Sequence, residues 1–149
     1  TGALTKASVE IGAILGGGSE AHIAALAEFG RCLGLSFQLQ DDVLGIWGDP
    51  AKTGKAGSDL MHRKKTLPVL FAAERDAVVR ERYFGAESVS ESDADELRER
   101  ISAAGGRAHT EAAAEAAYAQ GMEALASLPS IPATQQLDAL ARSLLGRAA

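Results

Sequence analysis

Apolar residues recur along most of this chain at intervals of three and four, the spacing that gathers them on one side of an α-helix. The first predicted helix covers residues 1–15 and carries the apolar positions Leu4, Ala7, Ile11 and Ile14. Three consecutive glycines at 16–18 end it, and Ser19 is a candidate N-cap for the next. That second helix is predicted to continue to Trp47, which makes it about 29 residues and roughly 40 Å long, enough to cross a whole helical bundle.

The rest of the chain continues as helical segments separated by breakers. Residues 48–63 are rich in Gly, Pro, Asp and Ser and predict a loop, after which Pro68 lies in the first turn of a new helix. Further helices are predicted at 66–75, 76–84, 92–103, 109–128 and 133–147, with a capping turn at 90–93. The sequence lacks the alternation of β-branched residues that indicates β-strands. The sequence therefore predicts an all-α fold, a single helical bundle over residues 1–149.

Composition narrows the class of protein. The chain has 149 residues, 46% of them hydrophobic and 23% charged, which suits one ordinary globular domain or part of one. Its net charge is -5 and only 5% of its residues are aromatic, whereas a nucleic-acid binder needs a basic face and stacking aromatic side chains. We therefore expect no nucleic-acid partner.

Two further features bear on the compartment. The longest apolar stretches are interrupted well before the roughly 18 residues of a spanning helix, and no secretory leader is evident, so we expect neither a membrane span nor secretion. A single cysteine, Cys32, rules out a disulfide within the chain and suits a reducing compartment. The expected location is the cytoplasm.

Two adjacent carboxylates, Asp41 and Asp42, stand out near the end of the long helix. Their neighbours are apolar: Leu35, Phe37, Leu39, Val43, Leu44, Ile46 and Trp47. Apolar residues in all directions around a helix predict burial, and two buried carboxylates would cost several kcal/mol each without a cation. The following segment, 48–65, supplies positive charge, with five Lys or Arg against two Asp.

The spacing of polar residues on the long helix predicts a cation site. Gln38, Asp41, Asp42 and Gly45 fall at i, i+3, i+4 and i+7 and share one face, on which Gly45 is expected to leave an open notch. Carboxylates suit Mg²⁺, which completes its shell with water and substrate phosphates, and lysines of the basic segment suit phosphate oxygens. A solvated acidic face or an ordinary salt bridge is the simpler alternative.

The same region resembles a known family, the trans-isoprenyl diphosphate synthases or polyprenyl synthetases. The matching elements are residues 34–42 ending in Phe-Gln-Leu-Gln-Asp-Asp, then Gly-Asp-Pro at 48–50, Thr-Gly-Lys at 53–55, Ser-Asp-Leu at 58–60, Lys64 and Thr-Leu-Pro at 66–68. The opening Thr1 looks like the threonine of the family's Lys-Thr pair. The resemblance implies the C-terminal half of an isoprenoid-synthase-type helical bundle.

The resemblance also implies an activity and the residues that perform it. The complete enzyme would be a Mg²⁺-dependent prenyltransferase of isoprenoid biosynthesis, which condenses an allylic diphosphate with isopentenyl diphosphate to a longer polyprenyl diphosphate, and it would be a homodimer. Asp41 and Asp42 would bind Mg²⁺, and Lys55 and Lys64 would hold the allylic diphosphate. Thr1 and Gln38 would line the path of the allylic cation, where their oxygens stabilise positive charge.

This sequence departs from the family pattern in several places. The motif is Asp-Asp-x-x-Asp, but the last position is Gly45, and restoring an acid there is expected to strengthen Mg²⁺ binding. Arg63 stands where Gly commonly precedes the lysine. The family's first aspartate-rich motif would lie on a missing N-terminal half, in the same or a companion chain. A non-catalytic helical subunit that resembles the synthase, or a class I terpene cyclase, remains an alternative.

Overall fold

The structure is a computed structural model that describes residues 1–48, 58–85 and 89–145, and these residues form helices joined by turns. The helices are α1 (Gly2–Leu15), α2 (Glu20–Trp47), α3 (Ser58–Met61), α4 (Leu67–Ala73), α5 (Ala77–Phe84), α6 (Glu91–Ala103), α7 (Gly106–Ala126) and α8 (Pro132–Leu145). The all-α prediction is confirmed. Among the described residues, none of the helices combines the length and the apolar character that crossing a membrane requires.

The long helix and its boundaries agree closely with the sequence. α2 has 28 residues, and the Ser19 hydroxyl accepts a hydrogen bond from the His22 backbone N–H at 3.3 Å, as an N-cap does. Two predictions differ from the structure by more than two residues. The segment 48–63, predicted as a loop, contains the short helix α3. α7 begins at Gly106 rather than at His109, directly after Gly105, whose φ of +82° ends the turn that closes α6.

The described residues divide into two compact units, of which the first comprises Thr1–Gln38 and the described residues from Ala113 onward. Phe29, Leu33, Leu125 and Ala141 form its buried core. Within this unit α1 and α2 approach each other closely at Gly34. A Cβ added to Gly34 would lie 2.6 Å from the Gly2 Cα atom and 2.8 Å from the Thr5 hydroxyl oxygen, so only glycine fits there.

The second unit comprises Leu39–Ala112. Its core joins the end of α2 to α3, α4, α5 and α6 through the buried residues Ile46, Leu60, Val69, Ala72, Ala73, Val79, Tyr83, Val89, Ala94, Leu97 and Ile101. Tyr83 is the largest of the fully buried side chains in the described part of the chain. This core fixes α3, and the turn that follows it, against the C-terminal end of α5.

α6 opens with the capping turn that the sequence predicted. The Ser90 hydroxyl accepts from the Asp93 N–H at 3.2 Å, and Asp93 Oδ2 accepts from the Ser90 N–H at 3.1 Å, so each side chain satisfies a backbone donor of the other. The Ser90 hydroxyl also donates to Asp93 Oδ2. Mainly because of that bond, the pKa of Asp93 lies below its usual value.

Asp93→Asn should therefore destabilise the protein in a pH-dependent way. A carboxyl whose pKa is lowered by folding stabilises the folded state above its unfolded pKa, and this contribution disappears as pH falls through the lower folded pKa. We expect a lower urea midpoint for the variant at pH 7, and a difference in midpoint that shrinks as the pH falls below about 4, the ordinary pKa of an aspartate. A difference that is constant across this range would show that the Asp93 charge does not contribute.

Candidate functional site

The acidic face of α2 is open to solvent rather than buried. Asp41 is exposed and Asp42 is half-buried, while Leu39 and Ile46 face the interior. The prediction of a helix surrounded by apolar contacts is therefore wrong, because the apolar residues on the outer side, such as Phe37, remain substantially exposed. Neither carboxylate bears the full desolvation cost of a buried charge, and Asp41 is accessible to a cation.

Lys64 is a positive group that lies near these acids in the described part of the chain. Its ammonium lies 2.5 Å from Asp59 Oδ1, and the Asp59 side chain is only 6% exposed whereas that of Lys64 is 57% exposed. The bond to Asp59 raises the pKa of Lys64, and the charges of Asp41 and Asp42 raise it further. These four residues form the acid–lysine cluster. Because a raised lysine pKa keeps the ammonium charged until strongly alkaline pH, Lys64 is cationic throughout the neutral range.

The predicted notch at Gly45 is filled. The Asp59 carboxylate lies directly against the Gly45 backbone, so that a Cβ atom added to this glycine would overlap Oδ2 and Cγ of Asp59. The prediction of open space on the Asp41 face is wrong, because α3 brings a side chain into it. The Asp59 carboxylate thus occupies the space beside Gly45.

The first unit brings two other predicted site residues together. The Thr1 hydroxyl donates a hydrogen bond of 2.7 Å to Gln38 Oε1. Because the hydroxyl hydrogen points at the amide oxygen, the lone pairs of the Thr1 oxygen remain available to stabilise positive charge. The close packing of Gly34 against Gly2 holds the start of α1 at this distance.

Lys55, the remaining predicted site residue, lies outside the described residues. Within the described ranges, His, Cys, Asp and Glu side chains form no group of three or more that could hold a metal ion. Mg²⁺ commonly takes only one or two protein carboxylates and fills its other positions with water and substrate phosphates. An accessible Asp41 beside Asp42 suits such a partial site.

Sequence reasoning assigned no role to Asp59 or Tyr83. Asp59 was visible as part of the Ser-Asp-Leu element, but it is five positions before Lys64, a spacing that does not place two side chains together on a helix. The contact depends on the turn between them. Tyr83 gave no signal because its hydroxyl reaches the Lys64 carbonyl oxygen, at 2.6 Å, from a different helix.

Comparison with known proteins identifies the family of the chain. The family model described as "Polyprenyl synthetase" matches residues 1–101. The chain is 38% identical to a (2E,6E)-farnesyl diphosphate synthase of Mycobacterium tuberculosis, over 100% of this chain and 44% of that protein. The chain thus spans less than half the length of this curated relative.

Solved structures give the same result. A polyprenyl synthetase from Streptomyces coelicolor superposes with a TM-score of 0.87 at 35% identity, covering 97% of this chain and 46% of the other. A polyprenyl synthase from Caulobacter crescentus, complexed with calcium and isoprenyl diphosphate, gives a TM-score of 0.84 at 34% identity and covers 98% of this chain and 46% of the other. Together with the motifs that surround Asp41 and Lys64, these similarities show that the chain belongs to the polyprenyl synthetase family.

Proposed function

We propose that this chain supplies the C-terminal, diphosphate-binding part of a Mg²⁺-dependent prenyltransferase domain that joins an allylic diphosphate to isopentenyl diphosphate. The observation that carries the proposal is the acid–lysine cluster, in which an exposed Lys64 ammonium is held by Asp59 beside Asp41 and Asp42. By the complete synthase we mean this chain together with the remaining part of a full-length family member, in one polypeptide or in a companion chain.

Each residue has a role in the proposed reaction. Asp41, supported by Asp42, would hold Mg²⁺, which when bound neutralises charge on the departing diphosphate. Lys64, and Lys55 by the family resemblance, would contact the phosphate oxygens as cationic donors. An exposed lysine that is already oriented by a buried carboxylate loses little side-chain freedom when it binds an anion.

The oxygen pair in the first unit would serve the carbocation. When the allylic C–O bond breaks, its electrons leave with diphosphate and the allylic carbon becomes positive. The Thr1 oxygen and the Gln38 amide oxygen would stabilise that charge. The π electrons of isopentenyl diphosphate then form the new C–C bond, and a proton passes to the released diphosphate so that an alkene is restored.

A direct assay tests this function. The complete synthase, supplied with isotope-labelled isopentenyl diphosphate and an allylic diphosphate, should form a longer prenyl diphosphate with Mg²⁺ and none when EDTA removes the metal. The isolated chain should form none, because no group of three or more His, Cys, Asp or Glu side chains among the described residues could hold a metal ion, whereas a diphosphate site for several ions needs carboxylates from facing helices. Failure of the complete protein to form product would favour a non-catalytic subunit.

The comparisons favour a synthase over a terpene cyclase, since the family model and the named relatives are prenyl synthases. A homodimer and a cytoplasmic location are part of the proposal. The family resemblance supports the homodimer. The single cysteine, Cys32, which is buried and forms no disulfide, supports the cytoplasmic location. Sedimentation of the complete synthase at twice its chain mass is the expected result for the dimer.

A further inference from the structure

Arg63 occupies a backbone conformation that normally selects glycine. Its φ angle is 51°, and it is the one non-glycine residue with positive φ in the described part of the chain. A side chain in this left-handed region is uncommon, because Cβ approaches the following carbonyl oxygen. Arg63 immediately precedes Lys64, the cationic member of the acid–lysine cluster.

The left-handed conformation follows from the way α3 ends. The Arg63 N–H donates to the Leu60 carbonyl at 3.0 Å, and the Lys64 N–H donates to the Asp59 carbonyl at 2.9 Å. This pair of bonds is the Schellman motif, which needs a left-handed residue directly after the helix and usually takes glycine there. The turn brings Lys64 back over Asp59, which allows their side chains to meet.

The Arg63 side chain compensates for this unfavourable backbone. Its Nε atom donates to the Tyr83 carbonyl at 2.8 Å, and Nη2 donates to the carbonyls of Tyr83 and Gly85. These oxygens belong to the C-terminal end of α5, where helix carbonyls lack intrahelical partners and carry partial negative charge. Glycine could adopt the turn but could not make these bonds.

Tyr83 links the Arg63 side chain to the main chain of Lys64. Its side chain is 1% exposed, and its hydroxyl lies 2.6 Å from the Lys64 carbonyl oxygen and 3.2 Å from that of Asp59. The carbonyl of Tyr83 therefore binds the guanidinium of Arg63, while its hydroxyl binds the main chain of Lys64. The backbone of residues 63 and 64 is held at two points by one buried tyrosine.

We propose that Arg63 is a positioning residue, which fixes the turn so that the Lys64 ammonium is directed at the diphosphate before substrate binds. This inference rests on the proposed function, in which Lys64 contacts the diphosphate. Arg63 acts through Lys64, since its guanidinium is engaged with the carbonyls of α5. A glycine at position 63 would form the same turn with more freedom, so diphosphate binding would have to order Lys64.

The test uses the complete synthase and compares Arg63→Gly, Lys64→Ala and the double variant. Lys64→Ala should raise the KM for the allylic diphosphate about tenfold or more, since a charge-assisted hydrogen bond is lost. Arg63→Gly should raise KM about threefold to tenfold with a smaller change in kcat, and should keep a thermal midpoint close to wild type because glycine suits the turn. Arg63→Gly should add little to Lys64→Ala in the double variant.

Two further measurements complete the test. Hydrogen exchange of the Lys64 and Thr66 amides should be faster in Arg63→Gly, because both amides bond within this turn. Arg80→Ala, which removes an exposed arginine from α5, is the matched control and should change neither KM nor exchange at these amides.

The outcomes separate this inference from the proposed function. If Lys64→Ala raises KM but Arg63→Gly does not, the function stands and the positioning role is wrong. The same conclusion holds if Arg63→Gly has its full effect in the Lys64→Ala background, because Arg63 would then act independently of the lysine. If Lys64→Ala leaves KM unchanged, the diphosphate role of Lys64 is wrong and the inference is overturned with it.

Discussion

Asp41→Ala in the complete synthase is expected to lower kcat at least about a hundredfold at saturating Mg²⁺, since it removes the carboxylate proposed to hold the metal at the leaving group. The free energy of unfolding should change by no more than about 0.5 kcal/mol, because Asp41 is an exposed residue on the surface of α2. A steady-state assay and a urea titration of the same preparation measure the two effects together.

The control for Asp41→Ala is Glu115→Ala, which also removes an exposed carboxylate from a helix, in this case α7. It should leave kcat unchanged. Asp41→Asn keeps the shape of the side chain but removes its charge, and it should behave like the alanine variant if metal binding is the cause. Near-normal turnover in either Asp41 variant would mean that the metal role has been assigned to the wrong residue.

Gly45→Asp is expected to destabilise the protein by about 3–5 kcal/mol, which reverses the expectation from sequence that an acid here strengthens Mg²⁺ binding. The new Cβ atom would overlap the buried carboxylate of Asp59, and the new charge would repel it. Displaced Asp59 would no longer hold Lys64. We therefore expect a higher Mg²⁺ requirement as well as a lower urea midpoint.

Smaller substitutions separate crowding from charge. Gly45→Ala adds only a methyl group and should cost about 1–3 kcal/mol, the usual range for overpacking. Gly12→Ala is the matched control, because a Cβ atom at this helical glycine meets nothing within 4 Å, and it should stabilise α1 by roughly 0.5–1 kcal/mol. If Gly45→Ala were as harmless as Gly12→Ala, the packing of Asp59 on α2 would be wrong.

The parts of the fold that sequence predicted depend on local signals. The bounds of α2 follow from a long apolar period, a serine at its start and a glycine at its end, all within the segment itself. The burial of individual residues in α2 does not follow from signals within the segment. Phe37 and Leu39 are equally apolar in sequence, but only Leu39 is buried, and nothing local states which side of the helix meets a neighbour.

The candidate site also combines features that the sequence predicted with features that it did not. The sequence identified Asp41 and Lys64 as candidate site residues through their residue types and the order of the motifs. Their arrangement could not, because it depends on α3, a four-residue helix inside a segment whose Gly, Pro and Asp content predicts a loop. The contact of Asp59 with Gly45 and the left-handed turn at Arg63 both depend on that helix.

The contact between Asp59 and Gly45 couples substitutions at the two positions. A side chain introduced at 45 meets an occupied space as long as the Asp59 carboxylate keeps its position. The family pattern has an acid at both positions, so a side chain at 45 and Asp59 are compatible only where one of them is placed differently. The effect of a change at either position is therefore expected to depend on which residue stands at the other.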